Sequence, residues 1–381
     1  MRICRIAAVP FSVNKFLSSQ IDASISNGYE VLVVTGQDDE LESYCQSNHV
    51  DYEKVSIERR FSPFKDLYSL FKLIKILNKY DIDCMHTISS KGGLLGSIAA
   101  RLTGIPCVMH IYAGLPWCEM KGIKRLIGRL SDKLIGRLAT VTYTDSFSQR
   151  NFIIDQGVCE SSKVKVLGQG SVSGFDLEKF DTSHLEDDAD IEFKSLGLSE
   201  NQRVILYVGR VTKEKGVGEL ISAFERLSKE HLDLSLVLVG PFEEKIDPLD
   251  EKTFSVIREH KNIHHVGYKS NPAAYYALAE YLVLPSYREG FGNVVIEAAI
   301  AGIPTIGTRI FGLTDSIQDN KTGVLVEPKN TGALYSAMSE LITNESLRKE
   351  LGNNARQRAL QYFSKDYINN LLIEEYKYFI K

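Results

Sequence analysis

The chain reads as an α/β protein of two doubly wound, Rossmann-like domains, and three observations predict it. Short apolar runs alternate with helical patterns from the N-terminus to about residue 175, and a second such series starts at Arg203. Alternation of this kind implies a parallel sheet covered by helices on both faces. At 381 residues the chain exceeds what one ordinary core holds. A stretch of different character separates the two series, with Gly170, Ser171, Ser173, Gly174 and the acidic run Glu186-Asp187-Asp188-Ala189-Asp190.

Strands are expected at Arg2–Val9, Glu30–Thr35, Cys84–Thr87, Pro106–Tyr112, Thr140–Thr144 and Lys163–Leu167. Helical patterns lie between them, for example Lys91–Leu102 and Ser146–Gln156. In the second series Val204–Val208 reads as a buried strand with a helix from Val217 to about Lys229. A further strand, Tyr281 to Leu284, stops at Pro285, and a helix follows from about Asn293. Three helical segments close the chain: Thr331–Thr343, Glu345–Gln361 and Ser364–Lys381, the last with an apolar stripe of Leu371, Leu372, Tyr376 and Phe379. The domain expectation is therefore 1–175, a link over 176–202, a second domain over 203–363, and a terminal helix over 364–381. No short-period repeat is present.

Composition bounds the function. Hydrophobic residues at 44% and charged residues at 25% are ordinary for a soluble globular protein. A net charge of −4 gives the whole molecule no bias toward nucleic acid. No run of ~18 apolar residues occurs, so no transmembrane helix is expected. The first ten residues read as a strand rather than a signal peptide. Six cysteines, at 4, 45, 84, 107, 118 and 159, show no paired spacing and read as free thiols in a reducing cytoplasm.

Two strand–turn–helix units carry the chemistry. The first is Gly209-Arg210-Val211-Thr212-Lys213-Glu214-Lys215-Gly216, between a strand and a helix. Arg210 offers a planar fork and Lys215 a point charge, together suited to a diphosphate. The second is Ser286-Tyr287-Arg288-Glu289-Gly290-Phe291-Gly292-Asn293 running into a helix that holds Glu297. Backbone N–H groups and a helix N-terminus there face an anion. Glu289 on the turn and Glu297 inside the helix suit two parts of one elongated ligand, as in a nucleotide-sugar. The plain alternatives are solvated cations, a turn carboxylate, and a helix-dipole role for Glu297. Ligands of open α/β sheets bind off the carboxyl ends of strands, and the glycine turns at 209, 290 and 292 all follow strands.

A Gly-Arg…Lys-Gly turn followed about eighty residues later by Glu-x7-Glu resembles the donor site of the retaining family 4 glycosyltransferases, which have the GT-B fold. The similarity continues through Ile263-His264-His265-Val266-Gly267-Tyr268, Pro304-Thr305-Ile306-Gly307-Thr308 and Thr322-Gly323-Val324-Leu325-Val326-Glu327-Pro328, and covers nearly the whole chain. The resemblance implies two facing Rossmann-like domains with a cleft between them, and a last helix that crosses back to the N-terminal, acceptor-binding domain. It implies catalytic roles for Arg210, Lys215 and Glu289. Gly209, Val266, Tyr268, Gly290, Phe291, Gly292, Asn293 and Glu297 would complete the donor site, with Glu297 on the ribose. The donor would be a UDP-linked hexose or N-acetylhexosamine, needing no metal and no cofactor, and transfer would retain the anomeric configuration.

The N-terminal half departs from the family pattern. Many relatives place a histidine where this chain has Ala113, and the glycine pair near the first strand is replaced by Pro10-Phe11-Ser12-Val13-Asn14. His86, Lys91 and His110 are candidates for the acceptor side, although His110 also fits a satisfied strand histidine. The lines His86-Thr87-x3-Lys91-Gly92-x-Leu94-Leu95-Gly96 and Gly168-x-Gly170-Ser171-x2-Gly174-x-Asp176-x3-Phe180 are similar to bacterial enzymes that extend lipid-linked saccharides for capsule, O-antigen or glycoprotein glycans. That implies a polyprenyl-diphosphate saccharide acceptor at the inner face of the plasma membrane.

Lys121, Arg125, Arg129, Lys133 and Arg137 recur at i, i+4, with Ile123, Leu126, Ile127, Leu130, Leu134 and Leu138 as an apolar face. This is either an ordinary amphipathic helix or a site for anionic lipid headgroups. Arg59, Arg60, Lys65, Lys72 and Lys75 with Phe61, Phe64 and Phe71 form a second basic region. Asp81-Ile82-Asp83, Asp188-Ala189-Asp190 and His260, His264 and His265 lack the context of a metal site. Three rival activities remain: a GT-B nucleotide-sugar epimerase, a non-catalytic nucleotide-sugar binding protein, and a dehydrogenase. The last is disfavoured because no Gly-x-Gly-x-x-Gly follows the first strand.

Overall fold

A computed structural model describes residues 1–58, 62–118, 120–199, 201–243, 245 and 247–380. The chain divides into two units, Met1–Gly174 with Lys365–Lys381, and Phe175–Ser364.

The first unit is a seven-stranded parallel sheet: β1 Arg2–Ala7, β2 Glu30–Thr35, β3 Asp51–Lys54, β4 Cys84–Ile88, β5 Cys107–Tyr112, β6 Val141–Thr144 and β7 Val164–Val166. Its order is β3-β2-β1-β4-β5-β6-β7, doubly wound about β1 and β4. The helices are α1 Pro10–Ser12, α2 Ser18–Ser26, α3 Asp39–Ser47, α4 Pro63–Leu77, α5 Ser90–Thr103, α6 Gly122–Leu138 and α7 Phe147–Asp155. Right-handed crossovers put α2 and α3 on one face and α4, α5 and α6 on the other. The core splits accordingly. Ile21 and Leu41 pack with Ile3, Val33 and Cys84, whereas Leu73, Leu77, Leu95 and Ala99 pack with Cys4, Ile6 and Met85. Successive strand residues thus feed opposite layers. β3 is a polar edge strand with no apolar run to announce it.

The second unit opens with α8 Glu186–Ser195 and then winds a six-stranded parallel sheet. Its elements are β8 Arg203–Val208, α9 Val217–Glu230, β9 Leu234–Val239, α10 Glu251–Glu259, β10 Ile263–Gly267, α11 Ala273–Leu278, β11 Ala279–Leu284, α12 Asn293–Ile300, β12 Thr305–Thr308, α13 Leu313–Ser316, β13 Gly323–Val326, α14 Thr331–Thr343 and α15 Glu345–Tyr362. The order is β10-β9-β8-β11-β12-β13. The stretch 176–202, expected as a link with a surface excursion, folds into this unit instead. Phe180 and Ala189 are buried. Asp181 pairs with Arg356 at 3.1 Å, and Glu192 accepts the Tyr275 hydroxyl at 2.5 Å. Glu186, Asp187 and Asp188 of the acidic run stand in the first turn of α8, where carboxylates suit the helix dipole.

The last helix, α16 Lys365–Phe379, belongs to the first unit. Its Leu372, Ile373 and Tyr376 join the α2 layer of the core. Asn369 Nδ2 donates to the Ser19 carbonyl at 3.1 Å and Lys165 pairs with Glu375 at 2.8 Å. No helix among the described residues is long and apolar enough to cross a membrane.

Candidate active site

β8 and β11 are neighbours in the second sheet, so the turns leaving their carboxyl ends lie side by side. Two backbone features lace them. The Tyr287 N–H donates to the Glu214 carbonyl at 2.8 Å. Gly216 has φ +69°, and a Cβ there would collide with the Pro285 carbonyl oxygen, so only glycine lets the turns touch. The consequence is a direct bond between the two motifs: Lys215 Nζ lies 2.6 Å from Glu289 Oε1, with both side chains mostly buried.

Arg210 is held on two sides. Its Nη1 donates to Glu243 at 2.7 Å and its Nη2 to Glu214. Burial works against the guanidinium charge, but its hydrogen bond to Glu243 and the charges of Glu214 and Glu243 outweigh it and raise its pKa. Glu214 shows the mirror effect: burial opposes its charge, and Arg288 and Arg210 overcome that and lower its pKa. Arg288 Nη2 lies 3.2 Å from Glu214, so the carboxylate bridges the two turns a second time.

Glu297 stands in the second turn of α12 and accepts the Tyr276 hydroxyl at 2.7 Å. Burial, then the Glu297 charge, push the Tyr276 pKa well up, which keeps the phenol a neutral donor. Phe180 packs edge-on against Tyr276 at 5.8 Å, so the 176–202 stretch buttresses this carboxylate. Gly290, Phe291 and Gly292 lead into α12, with Gly292 as its N-cap and Asn293 its first residue. The first-turn N–H groups of such a helix lack intrahelical acceptors. The Phe291 ring is buried against Phe363, so only its backbone can serve a ligand. Val266, next to last in β10, is half-buried, and Tyr268 just beyond the strand is exposed. The Gly240 N–H bonds the Gly267 carbonyl at 2.8 Å, which aligns the exits of β9 and β10.

In the first unit two candidates need correction. His86, expected on the acceptor side, is buried in the core beneath α16. Its Nδ1 lies 2.7 Å from both Arg5 Nη1 and the Tyr376 hydroxyl. β4 is central, and alternation turns His86 with Cys84 into the α16 layer. Burial first, then the Arg5 and His110 charges, hold it well below the usual histidine range. His110 faces the other layer. Its Nδ1 lies 2.8 Å from Thr87 Oγ1, and burial lowers its pKa to about 3. Both are core histidines. Lys91, in the first turn of α5, pairs with Asp66 of α4 at 2.6 Å.

Several site residues were missed from sequence. Glu243 and Asp247, which accepts the Glu214 N–H at 2.6 Å, follow β9 and carry no motif. Tyr287 donates to Glu219 at 2.5 Å, and Tyr276 supports Glu297 from another helix. A carboxylate three residues past a strand-end glycine, as Glu243 is past Gly240, was the only signal.

Cations and amide-rich turns at adjacent strand ends suit a phosphate-bearing ligand. Two family models match the chain: Glycosyl transferases group 1 over residues 188–358 and Glycosyl transferase 4-like domain over residues 13–170. The capsular polysaccharide biosynthesis glycosyltransferase CapM of Staphylococcus aureus is 31% identical over 365 residues, covering 96% of this chain and 94% of that protein. A UDP-Gal:alpha-D-GlcNAc-diphosphoundecaprenol alpha-1,3-galactosyltransferase of Escherichia coli is 24% identical, covering 96% and 93%. The crystal structure of Anabaena HepE in complex with UDP and glucose superposes with a TM-score of 0.81 at 20% identity, covering 99% of each chain. The chain belongs to the group 1, family 4-like glycosyltransferases. Its two parallel-sheet α/β domains are those of the GT-B fold, and it is a glycosyltransferase.

Proposed function

We propose that this chain moves a hexose or N-acetylhexosamine from a UDP-sugar to a polyprenyl-diphosphate-linked saccharide, with retention, in capsule, O-antigen or related glycan synthesis. The observation that carries the reading is the 2.6 Å bond between Lys215 and Glu289, which sets a phosphate cation beside the proposed sugar-binding carboxylate. Arg210 and Lys215 stabilise the diphosphate as the bond from the sugar C1 to the β-phosphate oxygen breaks. The acceptor oxygen bonds C1 from the same face, and its proton passes to the departing phosphate oxygen. Glu297 holds the ribose hydroxyls, and the amides of Gly290 to Gly292 cradle sugar and phosphate. The cations do the electrostatic work, so transfer proceeds without a metal. A lipid-linked acceptor brings the chain to the inner face of the plasma membrane as a peripheral protein, with Lys121, Arg125, Lys133 and Arg137 toward anionic headgroups. Support comes from the undecaprenol-linked acceptor named for the Escherichia coli relative and the UDP bound by HepE.

UDP release from a panel of UDP-sugars, with and without a lipid extract holding polyprenyl-linked saccharide, tests this. Release that needs both one donor and the extract is expected. An inverted product anomer sinks the retaining mechanism. UDP-sugar consumption without acceptor points to an epimerase, and UDP binding without turnover to a binding protein.

A further inference from the structure

We propose that α4 and α6 form one apolar insertion face that seats this chain on an anionic lipid bilayer. The choice of a lipid partner rests on the lipid-linked reading above, but the face itself does not. An ordinary amphipathic helix turns its apolar stripe inward, and α6 does the opposite. Ile123, Leu126, Ile127, Leu130 and Leu134, at i, i+3, i+4, i+7 and i+11, are all exposed, Ile123 by 71%. The inward face instead carries Gly128, Asp132, Ile135 and Gly136. Trp117 packs against Gly128, where a Cβ would clash with it. Trp117 Nε1 donates to Asp132 Oδ2 at 2.7 Å, and the Tyr112 hydroxyl donates to the Asp132 carbonyl at 2.8 Å. These contacts fix the helix with its greasy side out.

α4 repeats the pattern. Phe64, Leu67, Tyr68 and Phe71, at i, i+3, i+4 and i+7, are exposed, Phe64 by 90%, while Ser69, Leu73 and Leu77 are buried. α4 packs on α5 and α5 on α6, all on one side of the sheet. Lys72 and Lys75 accompany the α4 stripe, where Lys65 is paired with Glu58, and Lys121, Lys124, Arg125, Lys133 and Arg137 accompany the α6 stripe. The acids of the two helices are withdrawn: Asp66 pairs with Lys91, and Asp132 is buried. Arg129, expected in the basic stripe, is turned away, with its Nε 3.1 Å from the Gln156 carbonyl. Arg59, Arg60 and Phe61 lie outside the described residues.

The charge pattern selects the occupant. Apolar stripes flanked by cations fit acyl chains below anionic headgroups. A second copy would oppose the same cations to themselves, and a patch this apolar is rarely left bare.

Flotation with acceptor-free vesicles of phosphatidylethanolamine and phosphatidylglycerol tests the proposal, with phosphatidylcholine vesicles as the neutral control. The wild-type chain is expected to float with the anionic vesicles. Phe64→Ser with Phe71→Ser, and separately Ile123→Ser with Ile127→Ser, should each weaken binding at least about tenfold. UDP binding and the emission of Trp117 should stay unchanged. High salt should reduce binding without abolishing it, since only the charge component is screened. Absence of wild-type flotation at low salt overturns the proposal. So do apolar variants that bind like the wild type, or a wild-type dimer that the same variants dissolve. Flotation without any sugar transfer would defeat the transferase reading alone. Transfer to a water-soluble acceptor analogue without flotation would defeat this inference alone.

Discussion

Lys215 and Glu289 stand 2.6 Å apart across two turns that are 74 residues apart in sequence. The pair is mostly buried, so each group offsets a desolvation penalty the other would otherwise bear alone. On the proposed reading a donor diphosphate competes with Glu289 for the same ammonium. Glu289→Gln removes that competitor. UDP alone should bind about three- to tenfold more tightly to this variant, while turnover of the sugar donor falls at least about tenfold because the sugar contact weakens. Titration calorimetry with UDP and a UDP-release assay read the two effects. Weaker UDP binding by the variant would contradict the competition.

Arg210 reaches Glu243 and Glu214 at once through separate nitrogens. A lysine keeps the charge but loses the fork. Arg210→Lys should therefore lower kcat/KM by roughly a hundredfold, about 3 kcal/mol, with stability nearly unchanged because the side chain is over a third exposed. Steady-state UDP release and a thermal melt separate these outcomes. A variant with wild-type kinetics would remove Arg210 from the site.

What was legible in sequence was local. Val204–Val208 and Tyr281–Leu284 announced themselves as apolar runs, and the glycine turns after them as strand-to-helix turns, because those signals sit within one element and its neighbour. Glu243, Tyr276 and the 176–202 stretch were illegible for a different reason. Their roles arise from contacts between elements that do not follow one another in the chain, such as Asp181 to Arg356. His86 was misplaced because strand alternation says that a side chain changes face, not which face holds α16. The outward stripe of α6 was also hidden. Periodicity marks an apolar face without saying what covers it.

Gly216 joins two penalties. Its φ of +69° disfavours any side chain, and a Cβ there would strike the Pro285 carbonyl. Gly216→Ala should cost about 3 kcal/mol or more and abolish the Lys215–Glu289 bond. Gly197 has φ +67° with open space around it, so Gly197→Ala should cost only about 1 kcal/mol. Urea unfolding of both variants makes the comparison within one unit. Equal losses would mean that the close approach to Pro285 contributes nothing.

Asp132 gives the stability of the first unit a defined pH signature. Burial raises its pKa to about 6, against the hydrogen bonds from Trp117 and Ser90. In the unfolded chain the same carboxyl titrates near about 3.9. Between those values the folded state binds more protons, so stability falls as pH rises through the window. The contribution is fully present below about pH 4 and lost above about pH 6, a swing of about 3 kcal/mol. Asp145, also raised to about 6 by burial, adds a slope of the same sign, so wild type alone cannot isolate Asp132. Asp132→Asn keeps an acceptor for Trp117 and cannot ionise. Relative to wild type it should gain stability steadily from pH 4 to pH 6 and then level off. Trp117, the single tryptophan, reports unfolding in urea at each pH. A difference between the two proteins that stays flat across that window would show that Asp132 does not change charge there.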